Sequence, residues 1–483
     1  MACEVEWIPL GDIVNLSSGG TPDKKQPAYW DGEIPWISAK TLTGDTVTTS
    51  NLFITEEGLH AGSKLAPVGS ILLLTRGSGL FKRIPLAIVN APVAYNQDVK
   101  CMTSKVATIT NEYVFFALKA LSPELTNMLE TTGIGAGKLA TDRLLDMPIP
   151  VLSHDEREKA VSFFSALSRK IMINNRINDY LLELISSVFA HRFSSNVNTT
   201  DLKNVLSIST KALKPQEHAS EIWEHYSIPA FDEKHRPIFE PASEIKSNKY
   251  QIDNECILIS KLNPSTKRIW MPYCSSNNAV CSTEFIVYRP YLKEYKSFYY
   301  AAIDSPGFTD YLLEHVSGST GSRQRAQPKD TLHYLMPNPS NEEIKNFCTF
   351  ADPIYRHVQI NEQQTAKLEL LRDTLLPKLM SGEIDVSKID LTQLTNNHLA
   401  GRMHWSNVIR VRAIHAVHSQ QSQIPAYESV PKVSHSPCRT ALTLGGIAPL
   451  LSWLAVSQFT AQSFAMLVVF CQVVLCGVSS ELS

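Results

Sequence analysis

The sequence predicts an α+β protein built from one unit used twice, each unit a mixed, strand-rich globule followed by a long helix. Two observations predict this architecture. Helix-like segments at 171–193 and 360–380 align at a constant offset, which places Leu181 on Leu368 and Leu184 on Leu371. Apolar runs bounded by turn residues precede both segments at matching distances. We therefore expect an internal repeat with pseudo-two-fold character.

The first helix-like segment carries apolar residues in steps of four and three: Ile173, Ile177, Leu181, Leu184 and Val188. This spacing predicts an apolar seam on one face of a helix. Two such helices can pair along their seams as an antiparallel coiled coil. A helix over 171–193 would be about 34 Å long, close to one turn of B-DNA. An ordinary internal duplication around a helical hairpin, unrelated to DNA, explains the periodicity equally well.

The segments upstream of both helices carry the same start signal. Ser153 with Glu156, and Ser340 with Glu343, fit a capping box. Strands are expected at four apolar runs, Ser70–Thr75, Leu86–Asn90, Cys256–Ser260 and Thr283–Tyr288. We place the domain boundaries where these patterns change: a first globule over 1–152, a first helical region over 153–196, a second globule over 197–339, a second helical region over 340–390, and a tail over 391–483.

Composition excludes several classes of protein. The 483 residues are 43% hydrophobic and 19% charged, which is typical of globular protein of about three domains. With 45 basic and 47 acidic residues, the net charge of −2 excludes a uniformly basic nucleic-acid coat but not local basic patches. The nine cysteines form no CxxC pair, so we expect reduced thiols. The N-terminal residues lack the pattern of a signal peptide, and secretion is not expected.

The sequence carries no convincing catalytic motif. The glycine-rich stretch at 133–139 fails the phosphate-loop pattern, because Thr132 replaces the first glycine and Leu139 replaces the hydroxyl residue that binds magnesium. A glycine turn with Lys138 at its tip, approaching DNA, is the better interpretation. The Glu-x-Lys spacings at 244–246 and 343–345 are interpreted as solvated faces, with Glu343 in a cap. The fourteen histidines show no metal-binding spacing, so no catalytic or metal site is predicted.

Several strings in the first 390 residues resemble one known family, the specificity subunit of type I restriction–modification systems. The strings are WIPLGDI at 7–13, GGTP at 19–22, YWDGEIPWIS at 29–38, TRGS at 75–78, Asn96-Gln97, TGIGAGK and DMPIPVL within 132–152, and LLRDTLLPKLMSGEIDV at 370–386. Their order, together with the duplication, carries the resemblance over about four-fifths of the chain.

The resemblance implies a non-catalytic, cytoplasmic DNA-reading subunit. Its two globules would be target-recognition domains in inverted orientation, each reading half of a bipartite double-stranded DNA site. Two methyltransferase (modification) subunits and the restriction/translocase subunits would be its partners. S-adenosylmethionine, ATP and magnesium would belong to those partners, with no cofactor in this chain. Two alternatives stay open: a protein-interaction scaffold without DNA sequence preference, and a single-chain DNA-modifying enzyme, which the missing motifs disfavour.

Basic side chains beside turn glycines and aromatic residues are the candidates for DNA contact, because arginine can read guanine and glutamine can read adenine. For each of them, a phosphate contact or a solvated charge is the alternative to base readout. The candidates are Lys40, Arg76, Lys82, Arg83 and Lys138 in the first globule, and Lys261, Lys267, Arg268, Arg323, Gln324 and Arg325 in the second.

The tail from 391 does not resemble the family. No Asp, Glu, Lys, Arg or His occurs from Thr440 to Ser480, and the apolar run at 465–478 is shorter than the ~20 residues of a membrane-spanning helix. A membrane anchor, an extra packed helix and sequence appended by a shifted reading frame all fit. We favour the appended tail and do not expect a membrane partner.

Overall fold

The first strand-rich domain is built from short strands whose connections are closed by turns and small helices. The structure is a computed structural model, and it describes residues 5–133, 135–195, 198–317 and 324–384. The strands are β1 Glu6–Pro9, β2 Val14–Ser18, β3 Trp30–Ile37, β4 Thr46–Val47, β5 Phe53–Ile54, β6 Lys64–Ala66, β7 Ile71–Leu74, β8 Arg76–Gly77, β9 Leu86–Val89, β10 Val93–Tyr95, β11 Val99–Ser104, β12 Glu130–Thr131, β13 Gly137–Lys138 and β14 Pro148–Val151. The helices are α1 Leu10–Ile13, α2 Glu56–Gly62, α3 Asn111–Ala120, α4 Ser122–Asn127 and α5 Thr141–Asp146, followed by the long α6 His154–Phe193.

The second domain repeats this plan. Its strands are β15 Thr199–Asp201, β16 Leu206–Ser209, β17 Ala212–Leu213, β18 Ile222–Tyr226, β19 Ile238–Pro241, β20 Lys249–Gln251, β21 Ile257–Ser260, β22 Ile269–Trp270, β23 Ala279–Ser282, β24 Phe285–Pro290, β25 Val316–Ser317, β26 Arg325–Ala326 and β27 Leu335–Pro337. Its helices are α7 Ile228–Lys234, α8 Lys296–Ile303, α9 Pro306–Glu314 and α10 Pro328–Thr331, followed by the long α11 Asn341–Met380.

The sheets confirm the internal repeat strand by strand. In the first domain β11 lies between β2 and β7, and in the second β24 lies between β16 and β21, all antiparallel. Likewise β10 pairs with β3 in parallel and with β6 antiparallel, as β23 does with β18 and β20. The two-stranded pairs β1–β14 and β15–β27 close the two domains at their ends. The four predicted strands are confirmed, with ends shifted by one or two residues.

The two long helices pair antiparallel, as predicted. The N-terminal half of α6 contributes Phe163 and Phe164 to the core of the first domain, where the C-terminal residues Leu376 and Leu379 of α11 also pack. At the other end, Phe193 of α6 joins the core of the second domain with residues from the start of α11. Each helix therefore contributes to the cores of both domains, and the described residues lie in one compact unit.

The first helix is longer than the segment 171–193 that carries the predicted seam. Helix α6 has 40 residues and begins at His154, within the predicted helical region 153–196, so its length is about 60 Å rather than the 34 Å expected for 171–193 alone. The physical reason is that the capping box at Ser153 and Glu156 starts the helix and no glycine or proline follows to interrupt it. The second capping box, at Ser340 and Glu343, likewise starts α11 and is confirmed.

The predicted seam lies next to the face that is buried. Ile173 is 38% exposed, and its repeat equivalent Ile360 is 47% exposed. The buried face instead carries Asn174 and Asn178 at its centre, flanked by apolar residues such as Ile171. Polar residues are tolerated there because their amides are hydrogen-bonded across the helix pair.

Within the described ranges, no helix is long and apolar enough to be a candidate for a membrane span. The tail prediction, 391–483, falls outside the described residues. The described cysteines are unpaired: Cys101, Cys256, Cys274, Cys281 and Cys348.

Candidate nucleic-acid interface

A three-stranded ladder in the first domain brings two of the predicted residues together. Strand β13 pairs with β8 so that Lys138 stands directly opposite Arg76, and it pairs with β12 so that Lys138 also stands opposite Glu130. Directly opposed residues of antiparallel strands project from the same face with Cβ atoms about 5 Å apart. A carboxylate, an ammonium and a guanidinium group thus form one exposed row. We name this row the first ladder.

Lys138 is therefore not at the tip of a glycine turn, as predicted, but in the strand that leaves it. The turn is closed by a hydrogen bond from the Thr132 amide to the Ala136 carbonyl oxygen at 2.8 Å. Gly137 packs closely against Leu80, since a Cβ atom at position 137 would lie 3.1 Å from Cβ of Leu80, nearer than an ordinary van der Waals contact. This contact seats the ladder on the short 3-10 helix Ser78–Phe81.

The remaining candidates of the first domain lie on two neighbouring loops. Lys82 and Arg83 directly follow the 3-10 helix and are exposed. Arg83 Nη2 donates a hydrogen bond to the Thr43 carbonyl oxygen at 2.6 Å, which ties this segment to the loop that carries Lys40. Lys40 is exposed in a turn that is closed by the Thr41 hydroxyl, which accepts from the Ser38 amide at 2.8 Å.

A corresponding ladder exists in the second domain. Arg325 of β26 stands opposite Ser317 of β25 and bridges to Leu262 on its other side. Arg325 thus takes the place of Lys138, and Leu262 the place of Arg76. The Arg325 guanidinium forms an ion pair with Glu284, Nε to Oε2 at 3.1 Å. We name the row Ser317–Arg325–Leu262 the second ladder.

Backbone hydrogen bonds bring two further candidates to the second ladder. The Ala326 amide donates to the Lys261 carbonyl oxygen at 2.9 Å, and the Asn263 amide donates to the Gln324 carbonyl oxygen at 3.0 Å. Lys261, Gln324 and Arg325 therefore lie side by side although more than 60 residues separate them in sequence. Arg323, the remaining candidate of this group, lies outside the described residues.

Lys267 and Arg268 are placed differently, in ion pairs within the domain. The Arg268 guanidinium donates two hydrogen bonds to the Asp232 carboxylate of α7, at 2.6 and 2.9 Å, and the Arg268 side chain is only 12% exposed. Lys267 Nζ lies 2.6 Å from Asp304 Oδ1 at the end of α8. Burial raises the pKa of Asp304, and Lys267 opposes that shift. Both basic residues therefore brace strand β22 against helices of their own domain.

The residues predicted to contact DNA omit one exposed polar residue, Gln97. In the Asn96-Gln97 pair, Asn96 is buried, and its side-chain oxygen accepts hydrogen bonds from the amides of Asp98 and Val99, both at 3.1 Å. Gln97 is exposed, and its Oε1 accepts from the Thr21 hydroxyl at 2.6 Å. The resemblance had singled out both strings, GGTP and Asn-Gln, but only the structure joins them.

The chemical groups needed for a metal site are not assembled in the part of the chain that the structure describes. Its most deeply buried carboxylate, Glu224, is satisfied by hydrogen bonds from the Tyr226 hydroxyl at 3.0 Å and the amides of Ser275 and Ser276, both at 2.8 Å. Glu343 accepts from the Ser340 amide at 2.8 Å and is a cap, as predicted. Glu244 ends a short 3-10 helix and is exposed.

The sequence of this chain is similar to sequences of known proteins. Residues 4–183 match the family model described as a type I restriction modification DNA specificity domain. The specificity subunit of the type I restriction enzyme EcoR124I/EcoR124II from Escherichia coli is 31% identical over 197 residues, 38% of this chain and 48% of that protein. The chain thus spans about half the length of that relative.

Similarity over a longer range is found in the MjaIX specificity subunit of Methanocaldococcus jannaschii, 22% identical over 415 residues, 79% of this chain and 93% of that protein. Among solved structures, the type I restriction-modification system S subunit from M. genitalium is similar with a TM-score of 0.48 and 15% identity, over 78% of this chain and 96% of that one. The family model over residues 4–183 and the two curated relatives thus show that this chain is similar to the specificity subunits of type I restriction–modification systems.

Proposed function

We propose that this chain sets the bipartite DNA site at which a type I restriction–modification complex methylates and restricts, without catalysing either reaction. The observation that carries the proposal is the repeat: two domains of one topology, joined to an antiparallel helix pair, each present a ladder with a basic residue, Lys138 or Arg325, at the corresponding position. Two such readers on one rigid spacer select half-sites only at a matching separation and phase on the duplex.

The differences between the ladders support two different half-sites. Arg76 of the first ladder is replaced by Leu262 in the second, and the position of Glu130 is taken by Ser317. Arginine suits a bidentate contact to guanine, whereas an apolar side chain suits the methyl group of thymine. We propose base contacts from Arg76, Lys138, Gln324 and Arg325, and phosphate contacts from Lys40, Lys82 and Lys261. Lys267 and Arg268 would act indirectly, because their ion pairs with Asp304 and Asp232 hold strand β22 in place. Arg83 would act together with the loop of Lys40, because it is hydrogen-bonded to Thr43.

The partners and cofactors follow from this role. Two methyltransferase subunits and the restriction/translocase subunits would assemble on this chain, in the cytoplasm where the DNA lies. S-adenosylmethionine, ATP and magnesium would be bound by those partners. Adenine methylation requires the base to leave the stack, so the specificity subunit must hold deformed DNA against the partner's pocket.

A genome-wide map of N6-methyladenine tests the proposal. Cells that carry this chain with its neighbouring methyltransferase are compared with cells that lack only this chain. We expect a bipartite motif with a fixed gap that vanishes in the deletion strain. Identical maps in the two strains would contradict the proposal.

The alternative of a scaffold without sequence preference is separated by a binding assay. The complex of this chain with its methyltransferase is offered a duplex carrying the mapped motif, in competition with a shuffled duplex of the same composition. A specificity subunit prefers the motif duplex by about 10³-fold or more. Equal competition by both duplexes would favour the scaffold.

A further inference from the structure

The tip of helix α7 is attached to the spacer helix α11 by ion pairs to one glutamate. Lys234 and Arg236 face Glu369, and His235, whose pKa is lowered by burial, faces Glu362. The two glutamates are seven residues apart and therefore lie on one face of α11. Glu369 accepts from Lys234 Nζ at 3.1 Å and also from Arg236 Nη2, while His235 Nδ1 lies 3.8 Å from Glu362 Oε1.

The local backbone is shaped for this contact. His235 caps α7 in the left-handed conformation with φ of +51°, an uncommon state for a residue with a side chain. Its ring is held by stacking on Trp270, with ring centroids 5.6 Å apart and planes within 17°. Glu369 and Arg236 are mostly buried, at 19% and 24% exposure, so the ion pair between these two residues is shielded from solvent.

Helix α7 is also connected to the second ladder of its domain. Asp232 of α7 receives both hydrogen bonds of Arg268, and Arg268 directly precedes strand β22. Strand β22 is hydrogen-bonded to β21, which leads into Lys261 and the second ladder. A continuous path of contacts therefore runs from the spacer helix through α7 to the residues proposed to contact DNA.

The charged contact acts far from the apolar attachment of the domain. On α11 the second-domain core extends as far as Tyr355, 14 residues before Glu369 and about 21 Å away along the helix. A body held at two points this far apart cannot pivot about either of them. We propose that Glu369 is a positioning residue that fixes the angle of the second domain on the spacer and thereby the length of the gap between the half-sites.

This inference rests on the proposed function, and the methylation map tests both. A change of one base pair in the gap moves a half-site by about 3.4 Å and rotates it by about 35°. In Glu369→Gln, which loses the charge but keeps the shape, we expect methylation at gaps one base pair longer or shorter to rise about fivefold relative to the cognate gap. The bases of both half-sites stay unchanged.

Matched variants keep the test decisive. Glu369→Asp retains the charge and should restore the single gap, whereas Glu183→Gln, at an exposed position of α6, should change nothing. The double variant Lys234→Gln/Arg236→Gln removes the opposite side of the contact and should reproduce the relaxed gap even if Glu369→Gln folds poorly. A single unchanged gap in both variants, with or without lower total methylation, would overturn the inference. If deleting the chain leaves the map unchanged, it is the proposed function that fails.

Discussion

The side-chain amide of Asn361 donates a hydrogen bond to Oδ1 of Asn178 at 2.8 Å across the middle of the helix pair. On the other side of the pseudo-two-fold axis, Asn174 donates to Gln364 Oε1 at 2.9 Å and to Thr365 Oγ1 at 3.4 Å. The repeat that aligns Ile173 with Ile360 carries Asn174 onto Asn361 and Asn178 onto Thr365. The polar layer is therefore a symmetric feature at the centre of the spacer.

Replacing one asparagine of this polar layer should lower the free energy of unfolding more than replacing two. Asn361→Leu leaves the oxygen of buried Asn178 without its donor, and we expect a loss of about 1–3 kcal/mol in the free energy of unfolding. Asn178→Leu/Asn361→Leu replaces both amides by apolar groups and should recover most of that loss. Urea denaturation of the full chain measures both variants. Equal destabilisation in the single and double variants would contradict a paired polar layer.

The residues proposed to contact phosphates should determine how strongly DNA binding depends on salt. Lys40→Ala/Lys82→Ala removes two such cations, so the slope of log K against log salt should become shallower by up to about 2. The assay measures binding of the complex of this chain and its methyltransferase to a motif duplex between about 50 and 200 mM salt. Lys345→Ala, at an exposed position of α11, is the control. An unchanged slope would remove Lys40 and Lys82 from the DNA interface.

Arg325 should affect the second half-site alone. If its guanidinium reads a guanine, Arg325→Ala and Arg325→Lys should both relax one base position by about tenfold, because lysine cannot supply the planar bidentate contact. Methylation mapping of the two variants measures this, and the first half-site serves as the internal control. Uniformly weaker methylation with an unchanged motif in Arg325→Ala would instead indicate a phosphate contact.

Lys296 should make stability depend on pH in the alkaline range. Burial lowers the pKa of its ammonium from 10.5 to about 8, although its Nζ donates to the Asn254 carbonyl oxygen at 2.6 Å. Between pH 8 and 10.5 the unfolded chain therefore binds more protons than the folded chain, so this group makes stability rise with pH. Lys296→Met lacks this gain in stability. Its thermal midpoint should therefore fall relative to that of the parent chain as pH rises through that range.

The comparison with Lys345→Met isolates this effect from the titration of other groups. Lys345 is exposed on α11, so its replacement removes a lysine charge without changing a buried site. A Lys296→Met difference in thermal midpoint that does not vary with pH between pH 7 and 10.5 would show that Lys296 is not destabilised by burial.

The amino-acid sequence by itself determined the repeat, the starts of the long helices and the strands of the core. These features depend on local interactions: a capping box needs only Ser153 and Glu156 close in sequence, and a buried strand such as Ile71–Leu74 is apolar at every position. The antiparallel pairing of the helices was also predictable, because two similar amphipathic segments must cover each other's apolar residues.

Only the tertiary structure decided which face of each helix is buried and which basic residues stand together. Ile173 and Asn174 are adjacent, and the periodicity favours the isoleucine, yet the asparagine is buried because Gln364 and Thr365 accept its amide hydrogens. Similarly, Arg268 and Arg325 look alike in sequence, but Asp232 holds the first inside its domain while strand pairing sets the second in an exposed ladder. Partners that are distant along the chain set the free energy of burying a polar group, so local sequence cannot reveal it.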